Sequence, residues 1–185
     1  MAEPAPYSLM AELEKVRTRE RPPVHLWHPE NVKDIDMVIH ADGSWSHEGT
    51  LISRQRLCHL FASVLRREGD DYFLVTPVEK CRIRVEDVPF QVVLLENEGE
   101  GDTQVIRFTT NMAETFELDD TRPLRVINDD DESAIYVPVR DDLEGKLNRN
   151  VYYQLLELVE PADHDGEVWL GVRSRGTFFP LVRED

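Results

Sequence analysis

Two short stretches place arginine where a helix is about to begin. Arg54 and Arg56 follow Ser53, and Arg149 follows Asn148, each at the head of an apolar, helix-spaced run. Cations there oppose the positive end of the helix dipole, at about 0.3–1 kcal/mol each when exposed. An anion removes that cost, so the pattern suits a phosphate held between first-turn N–H groups and an arginine fork. The plain alternative is an arginine paired with a nearby carboxylate, and the chain has 37 Asp+Glu to offer. Trp45 and His47, two apart on a strand, offer a stacking platform beside a hydrogen-bonding imidazole, or else an ordinary core tryptophan. Lys80, Arg82 and Arg84 alternate with Cys81, Ile83 and Val85, which gives one cationic and one apolar strand face; a solvated face screened by Glu79, Glu86 and Asp87 is the default. His47, Glu79 and Lys80 would suit acid–base roles if the fold gathers them.

Recognised catalytic signatures are missing. Gly43-Ser44-Trp45-Ser46-His47 is not a G-x-S-x-G elbow, because His47 stands at the last position and no strand-to-helix turn falls there. Gly145-Lys146-Leu147 lacks the upstream glycine and the Ser/Thr of a phosphate loop, and Gly99 and Gly101 lack the third glycine of a dinucleotide fingerprint. His47-Glu48 has no second histidine at zincin spacing. His25 and His28 lie in an extended stretch before Pro29, where the imidazoles need not converge. Asp129-Asp130-Asp131-Glu132 lacks the glycine and distal Glu of a calcium loop and reads as a solvated acidic turn. Cys58 and Cys81 are a poor basis for a disulfide framework or zinc site. No metal or cofactor is implied.

The elements that position these residues follow from periodicity. Ser8 caps a short helix with Leu9, Leu13 and Val16 near one face and a basic end at Lys15, Arg17, Arg19 and Arg21. Pro22-Pro23 stops it, and an extended arm follows with Leu26 and Trp27 as anchors. Met37 to His40 reads as a strand, Asp42-Gly43 as a hairpin turn, and Trp45 to Ile52 leads to a helix from Ser53. In that helix Leu57, Leu60, Phe61, Val64 and Leu65 share a face, and Gly69 closes it. Tyr72 to Thr76, Lys80 to Val85, Gln91 to Leu95 and Thr103 to Thr109 read as strands. A shift of 96 residues pairs Ile39 with Ile135, Gly49 with Gly145, Leu51 with Leu147, Leu60 with Leu156 and Phe73 with Trp169, the trace an internal duplication leaves. The expected architecture is α+β. An N-terminal helix and extended arm occupy 1–33, a strand–helix–strand unit 34–89, connecting strands packed on the core 90–129, and a second, similar unit 130–185. The seam between the units is the expected cleft.

The composition narrows the partners. The 185 residues carry 21 Lys+Arg against 37 Asp+Glu, a formal charge of −16, and 41% are hydrophobic. This excludes disorder and a non-specific grip on polynucleotides or anionic membranes, which needs many cationic contacts. The charge is uneven. Residues 53–84 hold seven Lys/Arg and four acids, whereas 96–120 hold one Arg and eight acids. A few arginines therefore remain for a small anion, and the acidic segment faces a basic protein partner if there is one. No apolar run approaches the roughly 20 residues of a bilayer span, and MAEPAPYSLM lacks the features of a secretion signal, so a cytoplasmic location is expected.

Longer blocks carry a resemblance: Pro22-Pro23-Val24-His25-Leu26-Trp27, Asp34-Ile35-Asp36-Met37, Asp42-Gly43-Ser44-Trp45, Gly49-Thr50, Leu60 to Glu68, Tyr72 to Lys80, Ile83 to Phe90, Tyr152-Tyr153, and Ser174 to Pro180. Together they resemble a proteobacterial family catalogued as domain of unknown function twelve eighty-five. The resemblance implies a duplicated α+β core whose second copy is loosely pleckstrin-homology-like, a nucleotide-like ligand at the seam, and a role in signal transduction. It places Trp45, Gly49, Arg54, Thr76, Pro77, Glu79, Lys80, Arg149 and Tyr153 on family motifs, while Glu30-Asn31-Val32-Lys33 departs from the family pattern. The resulting expectation is a non-catalytic sensor or binding module for a small anionic ligand. Arg54 and Arg149 would hold phosphate, Trp45 or Tyr153 would stack on a base, and His47, Thr76, Glu79 and Lys80 would complete the site. A protein-interaction module ranks second and an enzyme third.

Overall fold

Period-two alternation of apolar and polar residues runs through much of the chain. The computed structural model, which describes residues 5–15 and 21–185, is accordingly built mostly of strands. It divides into two units between Asp87 and Val88.

In the first unit, helix α1 spans Ala5–Lys15, with Leu9 and Leu13 fully buried one turn apart. It begins ahead of Ser8, which is therefore not its cap; Val16, Arg17 and Arg19 lie outside the described residues. The arm is not extended throughout. Val24–Leu26 make a single 3-10 turn, and Val24 is the buried anchor at 7% exposure, while Leu26 is 66% exposed. Arg66 fixes this conformation, because its Nη1 donates to the carbonyls of both Val24 (2.9 Å) and Trp27 (2.7 Å).

Strands β1 (Val32–Ile39), β2 (Trp45–His47) and β3 (Thr50–Leu51), helix α2 (Gln55–Ser63), and strands β4 (Leu65–Glu68), β5 (Asp71–Val75) and β6 (Lys80–Val85) follow. The six strands form one sheet in the order β3-β2-β1-β6-β5-β4, with β1 and β6 parallel. Asp42-Gly43 turns the β1–β2 hairpin, Gly43 taking the positive φ of 89° that such a turn requires. Helix α2 is shorter than its apolar spacing predicts. It ends at Ser63, Leu65 pairs with Leu74 across β4 and β5, and Gly69 turns that hairpin instead of closing the helix. Val64 and Leu65 are buried as expected, but Val64 is the C-cap of the shortened helix and Leu65 opens a strand: β-branched Val64, the cross-strand leucine pair and the hold of Arg66 on the arm outweigh another helical turn. Trp45 and Phe61, both fully buried, stack with centroids 6.1 Å apart, and Met37, Ile39 and Leu74 are equally inaccessible. Each such side chain stabilises the unit by about 1.5–3 kcal/mol.

In the second unit, β7 (Phe90–Glu98), β8 (Val105–Thr110), β9 (Thr115–Glu117), β10 (Arg125–Asn128), β11 (Ser133–Arg140) and β12 (Leu143–Leu147) form a sheet in the order β10-β11-β12-β7-β8-β9. Helix α3 (Arg149–Leu156) and an antiparallel meander of β13 (Glu160–His164), β14 (Glu167–Ser174) and β15 (Thr177–Arg183) complete it. Residues 90–129, expected as connecting strands, supply four of the six strands of this sheet, because β7 lies parallel to β12 with Phe90 opposite Gly145. Sheet, helix and meander share one core that includes Val92, Phe108, Ile135, Val151, Leu155 and Phe179. The Asp129–Glu132 run is the β10–β11 turn, where Asp129 Oδ1 accepts from the N–H groups of Asp131 (3.1 Å) and Glu132 (2.7 Å).

The two units are similar, each built on a six-stranded sheet, as a duplication predicts. The 96-residue shift carries Asp71, first in β5, onto Glu167, first in β14, and brings α2, β4 and β6 within three residues of α3, β13 and β15. The copies differ in how the meander is attached. In the first it joins the hairpin sheet through β1 and β6; in the second it is a separate sheet tied to β8, with Ser174 Oγ accepting from Ile106 N–H at 2.9 Å. Among the described residues no helix is long and apolar enough to cross a membrane.

Candidate functional site

The two helix starts are unlike each other. Helix α2 opens from Arg54 rather than Ser53, and the Arg54 carbonyl accepts from Leu57 (3.0 Å) and Cys58 (3.2 Å). It has no side-chain cap and no acid in its first turn. Arg54 and Arg56 are exposed, and among the described residues no carboxylate pairs with either. Helix α3 is capped as expected, Asn148 Oδ1 accepting from Val151 N–H at 2.9 Å. Arg149 is also exposed and without a carboxylate partner among the described residues. Its guanidinium lies 5.7 Å from the ring centroid of Tyr153, which is 53% exposed.

The remaining expected site residues serve the fold. Trp45 is in the core on Phe61, so its ring faces are closed to a ligand base. Thr76 is buried in the β5–β6 turn, where its Oγ1 accepts from the N–H groups of Val78 (3.3 Å) and Glu79 (3.1 Å). Glu79, 6% exposed, pairs with Lys33 Nζ at 2.5 Å, and that hydrogen bond raises the Lys33 pKa. Burial, with the Glu79 charge beside it, pushes the Cys81 thiol up to about 11. Lys80 Nζ donates to Glu68 Oε2 at 2.7 Å and lies 4.4 Å over the Phe73 ring; this bond, then Arg66, holds Glu68 below the usual carboxylate range. Arg82 reaches Asp34 at 3.1 Å and Arg84 reaches Asp36 at 4.0 Å, the cross-strand pairs of a solvated face. His47, half-buried, has Glu48 at 3.9 Å. His47, Glu79 and Lys80 thus each have a different partner, and no shared contact gathers them for acid–base work.

One constellation escaped the spacing argument. His40 Nδ1 lies 3.0 Å from Glu86 Oε1, and His40 Nε2 lies 2.8 Å from Ser46 Oγ. The second oxygen of Glu86 accepts from Ala41 N–H at 2.9 Å, and this bond, followed by the one to His40, keeps the carboxyl below its ordinary range. His40 and Ser46 meet across the Asp42-Gly43 turn, but Glu86 arrives through the parallel pairing of β6 with β1, which no local pattern announces.

Comparison with known proteins agrees with this division of the chain. Residues 22–88 match the N-terminal domain of DUF1285, a domain of unknown function, and residues 89–181 match its C-terminal domain. No curated protein matches at a significant level. A solved DUF1285 family protein from Silicibacter pomeroyi DSS-3 is 42% identical, with a TM-score of 0.85 over 95% of this chain and 94% of that one. Another, from Shewanella baltica OS155, is 32% identical, with a TM-score of 0.52 over 65% of this chain and 90% of that one. With both domains matched in order, and a solved relative similar over nearly the whole length, the chain belongs to the DUF1285 family.

Proposed function

We propose that the chain is a binding module for a small, nucleotide-like anion carrying phosphate. The observation behind this is the start of α2: an uncapped first turn flanked by two exposed arginines without carboxylate partners among the described residues, in a chain with 37 acids available to pair them. First-turn N–H groups and guanidinium groups want the same thing, an oxyanion, and each charge-assisted bond contributes about 1.5–3 kcal/mol. On α3, Arg149 and Tyr153 form an exposed cation–aromatic edge suited to a phosphate beside a base, where stacking adds about 1–3 kcal/mol. Trp45, Thr76, Glu79 and Lys80 are committed to the fold, so this reading rests on Arg54 and Arg56 in the first unit and, as a separate edge, on Arg149 and Tyr153 in the second. Following the family resemblance, we read the second unit as loosely pleckstrin-homology-like and the role as cytoplasmic signalling; the free, buried Cys58 and Cys81 suit a reducing compartment.

Thermal shift of the full chain with pyrophosphate, AMP, ATP and a cyclic dinucleotide tests the reading. At about 100 times Kd a ligand adds about 2.7 kcal/mol, a rise of several degrees. The expected result is that at least one probe raises Tm and that Arg54→Ala combined with Arg56→Ala removes the rise from the α2 start without lowering Tm of the free protein. The α3 edge is tested separately, where Arg149→Ala lowers any remaining rise and Tyr153→Ala weakens nucleotides more than pyrophosphate. No shift with any of the probes would end the nucleotide reading. A basic protein partner on the acidic segment 96–120, whose residues 96–102 are the exposed end of the β7–β8 hairpin, is the second proposal; its mark is co-purification that survives the arginine substitutions and is lost in high salt.

A further inference from the structure

We propose that Ser46, His40 and Glu86 form a nucleophile, base and positioning acid that make Ser46 reactive toward small acyl esters, an activity separate from anion binding and contained in the first unit. The direction of each hydrogen bond follows from the acid. Glu86 already accepts from Ala41 N–H at 2.9 Å and is held in its ionised form, so it can only accept from the imidazole at 3.0 Å. His40 therefore carries its proton on Nδ1, and the Nε2 lone pair faces the Ser46 hydroxyl at 2.8 Å. A serine donating to an imidazole whose tautomer is set by a carboxylate is the arrangement that activates a hydroxyl nucleophile, whatever the fold or chain order.

The backbone holds all three groups. Ser46 pairs with Val38 and Trp45 with Ile39 across the hairpin, while Val85 pairs with Ile39 from the other side and Glu86 N–H donates to the Ile39 carbonyl at 3.0 Å. A merely structural clamp between hairpin and β6 is complete with Glu86, Ala41 N–H and His40 Nδ1. The Ser46 bond lies within a hairpin that backbone pairing already closes, so clamping does not require it. Ser46 is 7% exposed and the imidazole 34%, which runs the relay from the solvent edge to a largely desolvated hydroxyl and restricts the electrophile to a small one.

In the reaction, Ser46 Oγ bonds to the acyl carbon as its proton passes to His40 Nε2. The imidazolium, steadied by Glu86, returns that proton to the departing alkoxide as the ester C–O bond breaks. Water then attacks the acyl-serine by the same route, releasing the carboxylic acid and restoring the hydroxyl.

The test uses the full chain and a small fluorophosphonate, whose phosphorus takes Ser46 Oγ as fluoride leaves, with the labelled residue read by peptide mass spectrometry. The expected result is labelling at Ser46, lost when the protein is unfolded in urea, absent in Ser46→Ala, and slowed about 100-fold in His40→Gln and at least about tenfold in Glu86→Gln. Melting curves accompany each variant. An unlabelled Ser46 in the folded wild type overturns the proposal, and so does labelling at the wild-type rate in His40→Gln and Glu86→Gln proteins that melt normally. Where a variant melts early, the folded and urea-unfolded wild type alone decide: equal Ser46 labelling in the two rejects the relay.

Discussion

Glu79 carries a charge into a site where only 6% of the residue meets solvent, and Lys33 answers it from the neighbouring strand at 2.5 Å. Lys33→Met strands a largely buried carboxylate, and urea unfolding is expected to register a loss of about 1–3 kcal/mol, part of which Glu79→Gln restores in the double variant. A single variant as stable as wild type would show that the pair contributes nothing. Because the Lys33 pKa is raised, its contribution is complete below the unfolded value near 10.4 and fades as pH rises through the higher folded value. The same pair lies beside Cys81. Burial raises the Cys58 thiol and pushes Cys81 up to about 11, so at pH 8 neither forms appreciable thiolate. A disulfide reagent is expected to find no fast thiol in the folded protein and two after unfolding; one rapid thiol in the native state would contradict this. Glu79 and Lys80 look like site residues in the sequence because their types are right. Their partners, Lys33 and Glu68, come from strands whose pairing no spacing rule reveals.

At the scale of elements, the second meander depends on a single missing side chain. A Cβ on Gly171 would stand 2.1 Å from the Phe179 carbonyl oxygen and 2.7 Å from the Phe178 ring, beside the irregularity at Leu170/Gly171 in the β14–β15 ladder. Backbone must move to admit it, so Gly171→Ala is expected to cost about 3 kcal/mol or more, visible as a large fall in Tm. Gly69→Ala, whose Cβ meets open space and whose cost is only the φ of 61°, is the control at about 1–2 kcal/mol. If the two variants melt together, close packing is not what Gly171 provides. Elements defined by local alternation were legible: β6 runs from Lys80 to Val85 as its apolar and basic residues predict, and Asn148 caps α3. The end of α2 was not, because Val64 and Leu65 fit helical spacing although the helix stops at Ser63 and Leu65 is buried on a strand, and only Leu74 across the ladder and Arg66 on the arm decide between the two. Residues 90–129 read as strands, but their membership in the second sheet follows from the parallel β7–β12 pairing, contacts some 55 residues apart in the chain.

Over the whole molecule, the charge of −16 sets two effects against each other as pH falls. Protonating scattered surface acids relieves self-repulsion and favours the folded state. Against this stand carboxylates held below their usual range in both units: Glu68 by Lys80 and Arg66, Glu86 by Ala41 N–H and His40, Glu117 by Arg175 and Arg107, and Asp119 by Thr121. For each of these the unfolded chain takes up its proton first. The stability they provide is therefore complete above the unfolded values near pH 4 and is lost as pH falls through the lower folded values. Between pH 7 and about 5 few carboxylates of either kind titrate, so Tm is expected to stay level or rise slightly, and salt at pH 7 to raise it by screening. Below about pH 4 the paired carboxylates win, because each loses a specific bond while the repulsion has already been relieved, and Tm falls. Glu117→Gln, which releases Arg175 and Arg107 together, is expected to lower Tm at pH 7 and flatten the acid limb. Stability that climbs steadily down to pH 3 would mean that self-repulsion, rather than these pairs, governs the fold, and the acidic surface would then be a liability that only a basic partner or bound cations relieve.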